Sequence, residues 1–421
     1  VGFEIKPGHD IGLFGLYTHL GTDTTTVIRG FNEADGQDVA STRLRFVERS
    51  MAFSQLRGQH RLTDALELTW QSNLAFSNRD EPDTRDITYN VVNADMDLFR
   101  FKSEPGSGER FFAGLDEMTM GTGATLEAKS SWVGLKAGAS VQYRDRTFDA
   151  RRFRFVYVGN DPDVLFLPAE QMFDSSHIGP DFQISERTLP TDRYSASLLI
   201  AAGFASATMH LSDDLRLVTG VRLERSAQEL SSSSPFAQSE QMPITTTETD
   251  DSALTAINAV YAINRKQNVR VAYGSTLARP RFRELAPFLF FDTTRRRSVS
   301  GNPDLVNTHI HNVDLRWEWF PGATEVVAAS LFGKYFQNPI EQVIVSASGG
   351  DVSYANAANA TAVGLEVEGR FDLGRFNSVL DGLRVATNAA LIRSRIELTP
   401  EQLLSQTNST RPLQGHSPFA V

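Results

Sequence analysis

The 421-residue chain contains no cysteine, which removes disulfide frameworks, thiolate metal sites and thiol nucleophiles together. No stretch approaches the roughly 18 consecutive apolar residues that would suggest a transmembrane helix. A basic stripe is missing as well: net charge is −10 and the isoelectric point near 5.4, so nucleic acid is not an expected partner. There is no glycine-rich phosphate loop, zinc motif or nucleophile elbow. Ser, His and Asp are scattered without the local context of a catalytic triad. These gaps argue against an enzyme and against a resident cofactor or metal. No fixed-period repeat of about 20–50 residues is visible, so propellers and solenoids lose support. The chain opens Val1-Gly2-Phe3 with neither Met nor a signal peptide, and it stops at Ser417-Pro418-Phe419-Ala420-Val421. We read it as part of a longer chain.

What is present is period-two alternation. In 215–224, Leu215, Leu217, Val221 and Leu223 share one face, opposite Arg216, Arg222 and Glu224. In 312–319, Val313, Leu315, Trp317 and Trp319 oppose Asn312, Asp314, Arg316 and Glu318. In 365–372, Leu365, Val367 and Phe371 oppose Glu366, Glu368, Arg370 and Asp372, and segments 66–77 and 135–144 follow the same rule. The strands read as roughly 10–15 residues, against about 5–6 in soluble sheets and about 9–11 for a tilted bilayer crossing. Alternation also explains how a mean hydropathy of −0.26 is compatible with a membrane, because each strand averages a lipid face with a lumen face.

The connections alternate in length. Short ones fall near 6–9, 62–64, 129–131, 211–214, 264–268, 320–323 and 373–381; long ones fall near 21–40, 80–118, 159–190, 228–251, 278–308, 337–361 and 396–416. Outer-membrane barrels have short periplasmic turns and longer extracellular loops. The expectation is an all-β fold: a transmembrane antiparallel β-barrel of about fifteen strands, with residues 1–421 as a single outer-membrane barrel domain. Its charged inner faces imply a wide, wet or plugged interior.

From about residue 268 the chain resembles a TonB-dependent outer-membrane receptor. The resemblance is carried by Arg279-Pro280-Arg281-Phe282-Arg283-Glu284-Leu285-Ala286-Pro287, Gly301-Asn302-Pro303-Asp304-Leu305, Asn338-Pro339-Ile340-Glu341, and Gly364-Leu365-Glu366-Val367-Glu368. It is similar more loosely at Gln55-Leu56-Arg57-Gly58 and Glu81-Pro82-Asp83-Thr84-Arg85. The resemblance implies a barrel of about 22 strands, an N-terminal plug and a TonB-contacting segment ahead of it, with the plug and several strands outside this sequence. It implies residence in the bacterial outer membrane among lipid and lipopolysaccharide. The implied function is import of a ligand (siderophore, cobalamin, glycan or peptide) into the periplasm. A passive porin, or a structural or adhesive barrel, is the alternative.

Candidate ligand contacts sit in the loop at 278–308. Arg295, Arg296 and Arg297 suit an anionic ligand, and Phe290 and Phe291 beside them suit an amphipathic one. The competing roles are a solvated loop, a contact with lipopolysaccharide phosphates, and packing of 288–291 on the barrel rim. Arg279, Pro280, Glu284, Gly301, Asn302, Pro303, Asn338, Pro339, Glu341, Gly364 and Glu366 are expected to be structural, with Gly301-Asn302-Pro303 a turn ending a loop and Pro339 breaking the ladder where a strand leaves the membrane. His309 and His311 share a strand face with Val313 and Trp317, toward lipid, which disfavours a metal site. Asp80, Glu81, Asp83 and Asp86 read as a solvated acidic loop rather than a calcium site.

Overall fold

The computed structural model describes residues 2–32, 36–104, 106–236, 242–292, 297–345, 351–375, 377–400, 402 and 408–421. In chain order its strands are β1 (Gly2–Lys6), β2 (His9–Asn32), β3 (Gln37–Arg61), β4 (Leu66–Asn93), β5 (Leu98–Phe101), β6 (Glu109–Lys129), β7 (Val133–Tyr157), β8 (Phe182–Glu186), β9 (Arg193–His210), β10 (Leu215–Ser233) and β11 (Ile244–Asn264). There follow β12 (Gln267–Ala278), β13 (Leu289–Asp292), β14 (Arg297–Ser300), β15 (Thr308–Trp319), β16 (Val326–Gln337), β17 (Ile340–Ile344), β18 (Val352–Asn356), β19 (Asn359–Asp372), β20 (Arg384–Glu397), β21 (Thr410–Arg411) and β22 (Phe419–Ala420). Two one-turn helices, α1 (Ala169–Met172) and α2 (Phe282–Leu285), lie in the connections.

Eighteen of these strands form one sheet. Setting aside β5, β8 and β21, which add short pairings to β4, β7 and β20, fifteen remain in a single antiparallel meander. Each is paired to the next along the chain from β1 through β20, and the meander ends on β22. Among the described residues no pairing joins β1 to β20 or β22. No described helix is long and apolar enough to cross a membrane.

The two faces separate by parity. Val221, Leu223, Val271, Val313, Leu315, Leu331, Val363, Leu365 and Val367 are exposed on one face and make an apolar belt. Trp317 shares that parity. The other face carries ion pairs: Arg222 donates to Glu224 at 2.7 Å, Arg270 to Glu318 at 2.7 Å, and Arg316 to both Glu318 and Glu368 at 2.9 Å. Glu366 lies on this same face, opposite Ser330 of β16. The segment 279–305 folds onto the ion-pair face, so that face is the lumen and the belt faces lipid. His311 takes the lipid-side parity, in a row of rings across three strands: the Tyr273 hydroxyl and His311 Nδ1 are 3.0 Å apart, and the His311 and Tyr335 rings stack with centroids 6.4 Å apart.

The short turns stand where the pattern placed them, and the first needs its glycine: Gly8 holds φ +79° between β1 and β2. The long connections differ from expectation. Segments 21–40, 80–118 and 228–251 are largely strand, because β2, β3 and β4 run for 24, 25 and 28 residues. Above the belt both faces of such a hairpin are wet, so the apolar period vanishes while the hydrogen-bond ladder continues. Glu81, Asp83 and Asp86 belong to β4 and not to a loop. Arginines neutralise them: Arg45 and Arg79 at Glu81, Arg85 and Arg110 at Asp83, Arg43 at Asp86.

Candidate functional site

The described parts of the segment 279–305, residues 279–292 and 297–305, enter the lumen and are tied down on both sides. Its first residue, Arg279, donates to the Glu224 carboxylate and, at 3.1 Å, to the Ser226 hydroxyl, both on β10. Two residues further down that face of β10, Gln228 donates to the Pro280 carbonyl at 3.0 Å. α2 follows, its start closed by Glu284, which accepts from the Arg281 N–H at 2.9 Å. The spacing 282, 285, 286 puts Phe282, Leu285 and Ala286 on one side of this turn, and all three are buried. With Phe288 and Leu305 they pack on wall residues Ala113, Phe148, Ala150, Tyr194, Ala196 and Leu230. This apolar cluster inside the lumen is the main core of the molecule.

The return half of the segment is held by backbone contacts. The Asn302 N–H donates to the Glu284 carbonyl at 2.6 Å, and its side chain donates to the Tyr354 carbonyl at 2.9 Å. Pro303 accepts from the Thr246 hydroxyl at 2.9 Å. A Cβ on Gly301 would lie 2.0 Å from the Ala286 carbonyl oxygen, so only glycine permits this close approach. β13 and β14 pair within the segment, and with β18 and β17 form a second sheet of four strands. At the start of the β17–β18 hairpin Asn338 adopts φ +51°, its carbonyl accepting from Thr308 and Asn356, and Pro339 accepts from the Ala357 N–H at 2.8 Å. Glu341 is buried, with Arg411 of β21 at 3.0 Å. In the wall, Gly364 makes room for the Phe332 ring, which lies 2.5 Å from where a Cβ would be.

The candidate ligand contacts divide. Phe290 packs against the inner cluster, with the Arg283 guanidinium 3.7 Å above its ring centroid. Arg297 opens β14 as the strand partner of Asp292, and its Nε is buried without a hydrogen-bond partner among the described residues. Arg295, Arg296 and the Phe291 side chain lie outside the described residues.

Other basic residues of the lumen were not singled out by sequence reading. Arg43, Arg45 and Arg49 of β3, Arg79 of β4, and Arg144, Arg146, Arg152 and Arg154 of β7 all point inward by parity. They face fewer carboxylates: Asp86, Glu81, Glu109, Glu117 and Asp192. Arg45 grips Glu81 with two bonds of 3.0 and 3.1 Å, sharing it with Arg79. Arg152 spans Asp192 at 2.8 and 3.1 Å and reaches the Leu289 carbonyl of the inward segment, with its guanidinium 5.0 and 5.1 Å from the Phe111 and Phe288 rings. The Nε atoms of Arg144 and Arg154 are buried and have no hydrogen-bond partner among the described residues. The signal for this wall was in the sequence as arginine at period two, in 43/45, 144/146 and 152/154. Such a repeat puts successive guanidiniums on one face of a strand.

A family model described as TonB dependent receptor-like, beta-barrel, matches residues 6–413. No curated protein sequence gives a match. The fold is similar to that of the siderophore receptor PiuA from Acinetobacter baumannii, with TM-score 0.54, 12% identity, and coverage of 93% of this chain and 58% of that one. It is also similar to the ferric-catecholate import receptor Fiu from K12 E. coli, with TM-score 0.52, 12% identity, and coverage of 94% and 62%. For the copper transporter OprC the values are 0.51, 12%, 94% and 57%. The chain thus spans about three fifths of the length of these structures.

Proposed function

From the premise that the chain belongs to the TonB-dependent receptor β-barrel family, we propose that residues 1–421 form one barrel unit in the outer membrane of a Gram-negative bacterium. Its work is energy-dependent import of a small-molecule or peptide ligand, captured from outside at the lumen mouth and released to the periplasm. TonB is the energy-coupling partner, acting through a plug region contributed outside these residues. Lipid lies against the apolar belt, and lipopolysaccharide contacts its outer rim.

The observation that carries this reading is the inward-folded segment 279–305. A passive pore is served by an unobstructed lumen. Here the mouth is instead filled by an apolar cluster that supports a fixed polar surface, and this is how a capture site is built. The family-motif residues Arg279, Pro280, Glu284, Gly301, Asn302 and Pro303 hold that segment, and Phe290, Phe291, Arg295, Arg296 and Arg297 are the ligand contacts proposed on it.

The test is growth and uptake in a deletion strain carrying the full-length gene. Uptake should require both the gene and an intact TonB system. Ligand passage that persists without TonB would identify a passive pore instead.

A further inference from the structure

Three buried oxygens near the two ends of the inward segment have no hydrogen-bond partner among the described residues: Gln228 Oε1 of β10, Glu248 Oε2 of β11, and Asn307 Oδ1 just ahead of β15. They belong to one patch. Gln228 and Glu248 stand directly opposite each other on the lumenal face of the β10–β11 ladder. The other carboxylate oxygen of Glu248 accepts from the Asn307 N–H at 3.1 Å. The patch lies beyond the belt residues Val221 and Leu223, above the bilayer span. Gln228 and Asn307 are only 4% and 5% exposed. The Gln228 amide nitrogen is engaged by the Pro280 carbonyl at 3.0 Å, which fixes its oxygen as the free end. All three atoms accept, and acceptors cannot satisfy one another, so leaving them unmet in one buried patch is costly. The charge is one-sided as well. Asp250, the next lumenal residue of β11, sits opposite Ser226 and accepts from the Ser252 hydroxyl. Arg279 acts on Glu248 through space but is itself bound to Glu224 and Ser226. No ion pair to Glu248 or Asp250 is found among the described residues. Burial holds the Glu248 carboxyl above the usual carboxylate range and Asp250 adds to this, while the Asn307 N–H, Arg279 and His309 pull the other way.

We propose that this patch is a calcium site: Gln228 Oε1, Glu248 Oε2 and Asn307 Oδ1 are its ligands, with Asp250 supplying a further carboxylate and water the remainder. Calcium takes about 6–8 oxygens and accepts amide carbonyls beside carboxylates, whereas magnesium demands a tight octahedron and gives up its water reluctantly. An ion here is structural. Gln228 holds Pro280 at the entry of the inward segment and Asn307 follows its return, so one ion fastens both ends to β10 and β11. Positions 228, 248 and 307 share no motif spacing, which is why no metal signature stands in the sequence. The site is independent of what the barrel imports.

The test uses the purified full-length protein, stripped with a chelator and returned to calcium or magnesium. Calcium should bind with a dissociation constant of about 0.1–1 mM, the range of extracellular sites. At ten times that constant it should slow hydrogen exchange in 281–292 and 297–305 about tenfold. Magnesium at the same concentration should protect far less. Glu248→Gln keeps an acceptor for the Asn307 N–H but loses the charge, so exchange in its segment should be indifferent to calcium. Asp250→Asn should weaken calcium binding several-fold, and it reads the site even where Glu248→Gln does not fold. Asp251→Asn, one residue along and on the outer face, is the control and should respond as wild type. The inference is overturned if calcium leaves wild-type exchange unchanged, the result expected were the three oxygens met by water or by a proton on Glu248. It is overturned equally if neither Glu248→Gln nor Asp250→Asn weakens the calcium effect, which would place the ion elsewhere, or if magnesium protects as well as calcium.

Discussion

Arg279 and Glu224, 55 residues apart in sequence, form a nearly buried ion pair that joins the inward segment to the wall. Arg222 holds the second carboxylate oxygen of Glu224. Removing Arg279 leaves Glu224 buried with one partner, so Arg279→Ala should cost roughly 3 kcal/mol, the lower end for breaking a buried pair. The loss should be local. Hydrogen exchange should quicken across 281–305 while the lower halves of β10 and β12 keep their protection. Unchanged exchange in 281–305 would show that the segment is held by its apolar contacts alone.

Gly301→Ala tests the close approach to Ala286. The obstacle is backbone, which cannot swing aside, so the effect should reach or pass the upper end of the roughly 1–3 kcal/mol typical of overpacking. A protease added to intact cells should then cut within 279–292 or 297–305, where the wild type is expected to resist. Equal resistance in the variant would mean that the turn re-forms around the extra methyl.

The lipid face is tested by charge. Arg at Val221, Leu315 or Val367 should destabilise the barrel by roughly 2–4 kcal/mol at the bilayer midplane, seen as a lower temperature for loss of the compact, heat-modifiable band. Leu217 and Trp317 share the face and should behave alike, less so near the interfaces. Arg in place of the lumenal Ser330 should be far milder. A reversed order would place the register one residue off.

Glu341 sets a pH dependence for the β17–β18 hairpin. Burial holds its carboxyl above the usual carboxylate range. Arg411, 3.0 Å away, and the Gln414 backbone pull it the other way without cancelling that effect. A raised value means the folded state binds the proton more tightly than the unfolded state does. The cost is absent below the ordinary glutamate value and complete above the raised one, so stability falls as pH rises through that window. Exchange of the Ile340–Ile344 amides, corrected for intrinsic rates, should quicken over the same interval, and Glu341→Gln should abolish the trend. A trend that survives in Glu341→Gln would assign it to another group.

The wall was legible in the sequence because lipid and lumen impose opposite chemistries on successive residues. Val313, Leu315 and Trp317 against Asp314, Arg316 and Glu318 reveal strand, face and depth together. The upper parts of β2 and β3 were not legible. Gly21-Thr22-Asp23-Thr24-Thr25-Thr26 sits above the belt, where neither face is apolar, and reads as a loop while it is fully laddered. The Arg279–Glu224 contact depends on tertiary folding across β10, β11 and β12, which no local pattern encodes. The differing surroundings of Arg279 and Arg283 were hidden for a different reason. In Arg279-Pro280-Arg281-Phe282-Arg283 three arginines look alike, and only the direction of one helical turn separates Arg279, ion-paired to Glu224, from Arg283, stacked on Phe290.

Strand length differs around the wall. β2, β3 and β4 have 24, 25 and 28 residues, whereas β12, β15 and β16 have 12 each. A bilayer crossing uses about 9–11 of them, so one flank is nearly all membrane and the other stands well clear of it at about 3.3 Å per residue. The surplus is cross-linked rung by rung along the β2–β3 hairpin, and bending it would break many hydrogen bonds together. Among the described residues the wall is therefore lopsided, with a stiff palisade on one side and a low sill on the other. A ligand coming in across the short-stranded side would meet the arginines of β3 and β4 as the far wall.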